Sequence, residues 1–175
     1  MKPILKNLVT KTKEQFALTT QTTWFLRSLG IYKIPLLAMT WPKVLHLDNH
    51  KSELKIPLFY NTKNHLNVMY FGALSIGAEA VIATHVVHEI NLSGQRIDFL
   101  FKSFKAEFLK RAEADVHFNC DQGEAIRAMI QESAKSSERF TQTFQSYATT
   151  PSKTGDEKIA LFELTLSVKN KSIKK

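Results

Sequence analysis

The sequence has almost no cysteine: Cys120 is the only one among 175 residues. A single cysteine excludes an internal disulfide framework and indicates a reducing compartment. Residues 1–15 also lack the sustained apolar run and the small-residue cleavage site of a signal peptide. We therefore expect a cytoplasmic protein.

The usual signatures of a nucleic-acid-binding protein are missing as well. The chain has no aromatic-basic repeat, no zinc-ligand spacing and no recognition-helix pattern, although its net charge is +8. A positive charge of this size is compatible with binding to a nucleic acid, a membrane surface or an anionic ligand. The lysines are scattered and several cluster in the tail 169–175, which is typical of a solvated basic surface. A phosphate-bearing small ligand is the next best explanation, and no nucleic acid is expected as a partner.

What the chain does contain is enough apolar residues for one sizeable core. The hydrophobic fraction is 43%, and twelve of the residues are Phe. Residues 4–31 show helical periodicity, and Gly30 is placed to end the second of two helices there. Residues 34–42 are apolar and predict an extended entry into the main domain. The N-terminal helices are expected to pack on that domain, since no composition shift marks a linker.

Alternating patterns predict strands on both sides of a long apolar segment. Leu45 and Leu47 alternate with polar residues, Asn49-His50 has turn chemistry, and residues 54–58 alternate again, which together indicate a hairpin. After the apolar segment come four further strands: 97–108, with a bulge near Ser103, then 114–120, 140–147 and 162–168. A short amphipathic helix, with Asp121 and Glu124 as a capping box, is expected between the middle two.

The apolar segment itself, residues 64–89, contains one ionisable residue where the apolar character is strongest. Its part from Ala73 to Ala83 is hydrophobic on all sides, which predicts a helix surrounded by other elements. It is short for a bilayer span and polar at both ends, so no membrane span is expected. Glu79 lies in the middle, and a carboxylate in apolar surroundings is costly unless it is paired, neutral or used.

The order of these elements resembles the hotdog fold, an α+β architecture in which a curved antiparallel sheet wraps around one long central helix. Hotdog thioesterases related to the phenylacetate-pathway enzyme have an Asn, a Gly three residues later, a His-Gly-Gly step, and an acid seven residues after the second Gly. Asn64, Gly72 and Glu79 match the Asn, the second Gly and the acid. Asn67 replaces the first Gly, and Tyr70-Phe71 replaces His-Gly.

The resemblance covers roughly residues 36–170 and also includes the strand that ends at Lys110-Arg111. It divides the chain into an N-terminal helical extension, 1–35, a hotdog thioesterase-like domain, 36–170, and a basic tail, 171–175. It implies an acyl-CoA thioesterase in which coenzyme A is part of the substrate and no other cofactor is needed. The alternative that stays open is a non-catalytic protein that binds an acyl ligand.

Within this resemblance, Glu79 is the expected general base and the amides of Phe71 and Gly72 are candidates for polarising the thioester carbonyl. Asn64 orients water or the carbonyl, or is simply a turn residue. Glu79 also has a structural interpretation, as a buried acid tied to backbone or to a second subunit. The expected substrate contacts are His65, Asn67, Tyr70, Lys110 and Arg111, with His65 at the rim of the site.

Helix geometry places a condition on this site. Phe71 and Glu79 are eight residues apart, which corresponds to about 12 Å along one helix. They cannot both reach the same carbonyl carbon. The helix start of one subunit must therefore meet the helix middle of another, and we expect a homodimer or a dimer of dimers.

Two further expectations concern side chains outside the motif. His85 and His88 share a helical face, but no third ligand follows at metal spacing, so no metal site is predicted. The apolar residues of the entry segment and the preceding helix are expected to line or cover the acyl end of the pocket: Phe25, Leu29, Leu36, Leu37 and Trp41.

Overall fold

A computed structural model of the chain describes the backbone of residues 2–173 and the side chains of residues 12–173. The described residues form one sheet of six antiparallel strands, with a helix of 23 residues packed against it. The strands are β1 (Lys43–Leu47), β2 (Ser52–Ile56), β3 (Ile97–Phe108), β4 (Val116–Cys120), β5 (Arg139–Thr150) and β6 (Gly155–Asn170). The helices are α1 (Lys2–Tyr32), α2 (Pro35–Thr40), α3 (Phe71–Ser93), α4 (Gly123–Ala134) and α5 (Pro151–Thr154).

The sheet has the strand order β1-β2-β4-β5-β6-β3, and it curves around α3. This is the hotdog fold that the sequence predicts, with the strands and the short helix α4 in the expected order. The predicted bulge is confirmed, because the register of β3 against β6 shifts between Phe101 and Ser103. The bulge lets both halves of β3 direct their Phe side chains toward the same face of the sheet.

Close packing of α3 on the sheet depends on one glycine. A Cβ added at Gly77 would lie 2.3 Å from the ring of Phe118, so only glycine lets the helix backbone approach β4 this closely. Phe118 is wholly buried, as are Phe144 and Phe162 from β5 and β6. The Ser52 hydroxyl donates to the carbonyl of Val81 at 2.9 Å and ties β2 to the middle of the helix.

The helix α3 is longer than the sequence argument allows, since it spans 23 residues and has the length and apolar composition of a membrane-crossing helix. The prediction that it is too short for this was wrong. Within the fold, 56% of its most apolar window is buried against the rest of the chain. It ends at Gly94, whose φ of 64° is the left-handed conformation typical of a helix C-terminus.

The N-terminal region differs from the prediction in three places. Residues 2–32 form one continuous helix, so Gly30 does not end a helix. Instead it lets α2 pack closely, because a Cβ at Gly30 would lie 2.7 Å from the backbone nitrogen of Ala38. The entry segment is the helix α2 rather than extended chain, with Pro35 at a first-turn position where its missing N–H costs nothing.

Two local predictions about caps and register were also wrong. A bulge between Val44 and His46 changes the phase of β1, so Val44 and Leu47 are buried rather than Leu45 and Leu47. The helix α4 begins after Gln122 and has no side-chain cap. Glu124, expected in a capping box, forms an ion pair with His50 at 3.0 Å.

Candidate functional site

The loop that leads into α3 is held by a buried threonine. The hydroxyl of Thr62 donates to the carbonyl of Pro57 at 2.7 Å and accepts from the amide of Phe59 at 3.0 Å. The carbonyl of Thr62 accepts from the amide of Tyr70 at 2.8 Å. Thr62 was not among the residues predicted for the site, although threonine hydroxyls that bond to nearby backbone groups are common in turns. Thr62 fixes the loop against the first residue before the helix.

Asn64 organises the next turn with its side chain. Its Oδ1 accepts from the amides of Leu66 at 2.9 Å and Val68 at 3.4 Å, and its own amide donates to the carbonyl of Val68 at 2.8 Å. Asn67, at the tip, has a φ of 58°. Glycine adopts this conformation most easily and asparagine is the next most tolerant residue, which explains why Asn67 can stand where the resembling family has Gly. Asn64 therefore has the contacts expected of a turn residue. His65 is exposed on the same turn.

The start of α3 presents aromatic rings and backbone amides. The rings of Tyr70 and Phe71 meet edge to face at 4.9 Å, and both side chains are about half exposed. Gly72 makes room for this arrangement, since a Cβ there would lie 2.5 Å from the Tyr70 ring. Tyr70 offers no side-chain cap, and the first helical bond runs from the amide of Leu74 to the carbonyl of Tyr70. The preceding amides of the first turn, including Phe71 and Gly72, can therefore polarise a carbonyl oxygen.

Lys110 and Arg111 lie beside this helix start. The amide of Met69 donates to the carbonyl of Ala112 at 2.9 Å, which joins the loop to the segment after β3. The two segments enclose an open cleft of about 370 Å³. The cleft is lined by residues from the loop, the helix start and the end of β3: Asn64, Val68, Met69, Phe71, Leu74, Phe108, Leu109, Lys110, Arg111 and Ala112.

Glu79 does not line this cleft, and it is exposed in the single chain rather than buried. The prediction of a helix surrounded on all sides was wrong, because the sheet leaves one face of α3 uncovered. The half-exposed or exposed residues of this face are Gly72, Ser75, Ile76, Glu79 and Ala83. Apolar atoms around Glu79 still exclude part of the water, and this desolvation raises the pKa of its carboxyl above the ordinary value.

The structure therefore brings Asn64, Phe71, Lys110 and Arg111 together and leaves Glu79 two helical turns away on a neighbouring surface. Gly72 and Glu79 are seven residues apart, so they lie on the same side of α3, separated by roughly 10 Å. One chain alone does not bring the amides and the carboxylate to the same point. The roles predicted for these residues stay predictions.

The other end of α3 contains a buried cluster of charged and polar side chains, of which the sequence indicated only the residues on α3. His85 is fully buried, and neither of its ring nitrogens has a hydrogen-bond partner among the described residues. Burial lowers the pKa of His85 to about 4. Glu89 is also buried, and Arg127 of α4 donates to both its oxygens at 3.0–3.2 Å. Glu89 is thus part of an ion pair between helices.

The residues expected over the acyl end of the pocket do not reach the cleft. Leu36 and Trp41 are exposed, at 65% and 51%, and Leu37 is buried against the core. Phe25 lines a separate groove between α1 and the second half of α3, together with Thr84, Val87 and His88. These residues do not line the cleft at the start of α3, and their predicted place over the acyl end of the pocket stays a prediction.

Comparison with known proteins identifies relatives in fold. No family model and no curated protein sequence matches the chain. Among solved structures, a Shewanella oneidensis protein described as a candidate thioesterase matches with a TM-score of 0.71 and 11% identity, over 85% of this chain and 97% of that one. A Pseudomonas aeruginosa protein described as a probable thioesterase matches with a TM-score of 0.67 and 19% identity, over 85% and 95%.

A thioesterase from Haemophilus influenzae matches with a TM-score of 0.58 and 15% identity, over 83% of this chain and 88% of that one. At these identities the comparisons establish the fold and leave the chemistry to the residues of this chain. The chain has the hotdog fold, and it shares that fold with proteins named as thioesterases.

Proposed function

We propose that this protein is an acyl-CoA thioesterase whose site forms between two copies of the chain. The observation that carries the proposal is the position of Glu79. Its carboxyl has a raised pKa on the uncovered face of α3, two turns from the amides that begin the same helix. A carboxylate with raised proton affinity suits a general base, and the amides suit a developing oxyanion.

The uncovered apolar surface supports the assembly. Phe104 and Phe108 of β3 are in the same phase as the core residues of the sheet, yet the single chain leaves them 44% and 47% exposed. Phe108 shares the cleft with Phe71, so this surface continues toward the uncovered face of α3. Among the described strands, β3 is also an edge strand that pairs with β6 alone. A second copy on this surface would cover these side chains and would bring its Glu79 toward the helix start of the first.

The reaction assigns a role to each predicted residue. The thioester carbonyl oxygen accepts from the amides of Phe71 and Gly72, and Glu79 of the second chain removes a proton from the attacking water. The new C–O bond forms, the C–S bond breaks, and the thiolate of coenzyme A takes up the proton. Asn64 holds the turn that shapes the cleft and orients water or carbonyl with its remaining polar atoms.

The substrate contacts follow from the same cleft. Lys110 and Arg111 provide positive charge for the phosphates of coenzyme A. Tyr70 shapes the helix start, while Asn67 and His65 lie on the loop at the rim. Lys110 forms an ion pair with Glu157, so substrate phosphate would compete with that exposed carboxylate. The second candidate function is binding of an acyl ligand without turnover. One observation favours it: the Oδ1 of Asn64 accepts hydrogen bonds within the turn, so this atom is not free to orient water.

The test is release of free thiol from a panel of acyl-CoA substrates by the parent and by Glu79→Gln. The glutamine keeps the shape of the side chain but cannot accept the proton, so kcat/KM should fall by about 10²- to 10⁴-fold with folding retained. Asn64→Ala should cost on the order of 10-fold. Glu132→Gln, on an exposed face of α4, is the matched control and should keep the parent rate.

Each other outcome identifies a different error. If Glu79→Gln releases thiol at the parent rate, Glu79 has a structural role and is not the general base. A parent that binds acyl-CoA without releasing thiol establishes the binding function instead. Phe104→Lys should give a monomer in light scattering and should lose thioester turnover. The control Leu92→Lys changes a residue that is also exposed, at the end of α3, and should keep both the dimer and the turnover. A monomeric parent at micromolar concentration contradicts the shared site.

A further inference from the structure

The N-terminal helices carry the largest group of exposed apolar side chains in the described part of the chain. These residues are 44–81% exposed: Phe16, Trp24, Phe25, Ile31, Tyr32, Ile34, Leu36, Met39 and Trp41. Both tryptophans of the protein are among them. They lie outside the cleft at the start of α3. Side chains of this kind exposed together on one region mark an interaction surface.

On α1 the exposed residues form a regular stripe. Phe16, Thr20, Trp24 and Ile31 follow at intervals of four, four and seven residues, which places them on one side of a helix. The adjacent face of α1 packs on the rest of the chain through Thr19, Thr23 and Leu26, which are buried. Phe16, Trp24, Arg27 and Lys43 also line one open groove beside β1, so the stripe and the neighbouring basic residues face the same way. We call the stripe, Arg27, Trp41 and Lys43 the α1 surface.

Trp41 is held on this surface at a conformational cost. Its φ is 51°, a left-handed conformation that is unusual for a bulky residue and is normally filled by glycine at a helix C-terminus. The guanidinium of Arg27 lies 4.3 Å from the centre of the indole ring, and its Nε donates to the carbonyl of Pro42 at 3.0 Å. The fold thus presents a large aromatic ring to the outside with a cation stacked on it.

The charge of this region is one-sided. Residues 1–43 contain seven Lys or Arg and a single acidic residue, Glu14, so they contribute +6 to the net charge of +8. The remaining 132 residues contribute only +2. A symmetric contact between two copies would place this positive charge against itself, which opposes association. An anionic partner that also accepts apolar side chains is required.

We propose that the α1 surface docks on an anionic lipid membrane. Tryptophan has an apolar body with a polar tip and prefers the headgroup region of a bilayer, which suits Trp24 and Trp41. The side chains of Phe16 and Ile31 enter the acyl boundary, and Arg27 and Lys43 meet the anionic headgroups. The helix lies on the membrane and does not span it. A nucleic acid would use the charge but leave the apolar side chains exposed to water.

The experiment measures binding of the full chain to vesicles of phosphatidylcholine alone and of phosphatidylcholine with 30% phosphatidylglycerol. Because Trp24 and Trp41 are the only tryptophans, intrinsic fluorescence reports on the surface directly. Anionic vesicles should shift the emission to shorter wavelength and carry the protein in a flotation assay. Neutral vesicles should do so much less, and brominated lipid should quench the emission.

Matched variants separate this surface from total charge. Lys13, Lys33 and Lys43 are the lysines of the described residues 12–43, and all three are exposed. The triple variant Lys13→Glu/Lys33→Glu/Lys43→Glu and the control Lys135→Glu/Lys153→Glu/Lys171→Glu change the net charge by the same amount. The first should weaken partitioning to anionic vesicles by about 100-fold or more, since each basic residue near the headgroups contributes about 1 kcal/mol. The control should stay within a few-fold of the parent. Phe16→Ser should weaken binding while Leu92→Ser should not.

Several results would overturn the proposal. One is an equal loss in both triple variants, which would assign binding to total charge. Another is an emission shift that follows protein concentration without lipid, together with a larger mass, because a second copy would then cover the surface. Absence of flotation with anionic vesicles, or binding to duplex DNA that the same vesicles do not displace, would also contradict it. None of these readouts depends on thioester hydrolysis.

Discussion

The hydroxyl of Thr23 on α1 accepts a hydrogen bond from the amide of Val44 on β1 at 3.0 Å. Nearby, the side-chain amide of Gln15 donates to the carbonyl of Leu47 at 3.0 Å. The long helix therefore supplies hydrogen-bond partners to the outer edge of β1, where an unpaired strand would otherwise attract another chain. The other edge of the sheet, at β3, has no comparable cover from the described residues and is the edge that our proposed dimer uses.

Loss of this edge contact should destabilise the fold. Thr23→Val keeps the shape of the side chain but leaves the buried amide of Val44 without a partner, so we expect a loss of about 1–3 kcal/mol in the free energy of unfolding. Urea denaturation measures the change. Thr20→Val, exposed on the same helix, should stay within about 0.5 kcal/mol of the parent. Equal losses in the two variants would mean that helix propensity, rather than the edge contact, is responsible.

The contact of α3 with β4 should not tolerate an added methyl group. Gly77→Ala improves helix propensity, yet the new Cβ would overlap the ring of Phe118, and we expect a net destabilisation of about 1–3 kcal/mol. Thermal and urea unfolding measure it. The double variant Gly77→Ala/Phe118→Leu should be less destabilised than the sum of its single changes, since the smaller side chain relieves the overlap. Additive losses would show that the two positions do not interact.

The raised pKa of Glu79 predicts a pH dependence for the proposed reaction. As the pH falls through a pKa above 4.5, the carboxylate gains a proton and kcat/KM should decrease, and this limb should disappear in Glu79→Gln. The sign for stability is opposite. Desolvation favours the protonated form of Glu79 in the folded chain, so the free energy of unfolding should decrease as the pH rises above 4.5. The Glu79→Gln variant should lack this decrease. An acid limb that persists in the Gln variant would assign it to another group.

His85 should make the fold sensitive to acid. Burial lowers its pKa to about 4 from 6.5, while the charge of Glu89 opposes this shift. As the pH falls from 6.5 to 4, His85 therefore binds a proton in the unfolded chain but not in the folded chain. The free energy of unfolding decreases over that range. We expect His85→Gln to remove about 2 kcal/mol of the loss between pH 7.5 and pH 5. Parent and variant with the same pH dependence in urea unfolding would contradict a neutral buried imidazole.

Periodicity by itself determined the order of strands and the central helix. Residues 97–108 and 162–168 alternate so regularly that even the bulge near Ser103 was visible, because a phase change within a strand requires an extra residue. The resemblance of Asn64, Gly72 and Glu79 to the thioesterase motif likewise located the helix start. These features depend on neighbours in sequence, which the sequence displays directly.

Long-range contacts decided the rest. Gly30 and Gly77 look like ordinary helical glycines until Ala38 and Phe118 are placed against them. Glu79 looked enclosed because its neighbours in sequence are apolar, yet the curvature of the sheet leaves its side of α3 open. The cleft brings Asn64 together with Lys110 and Arg111, which are more than forty residues away, through the bond between Met69 and Ala112. Only the tertiary structure could decide these points, since burial and proximity depend on which distant segments pack together.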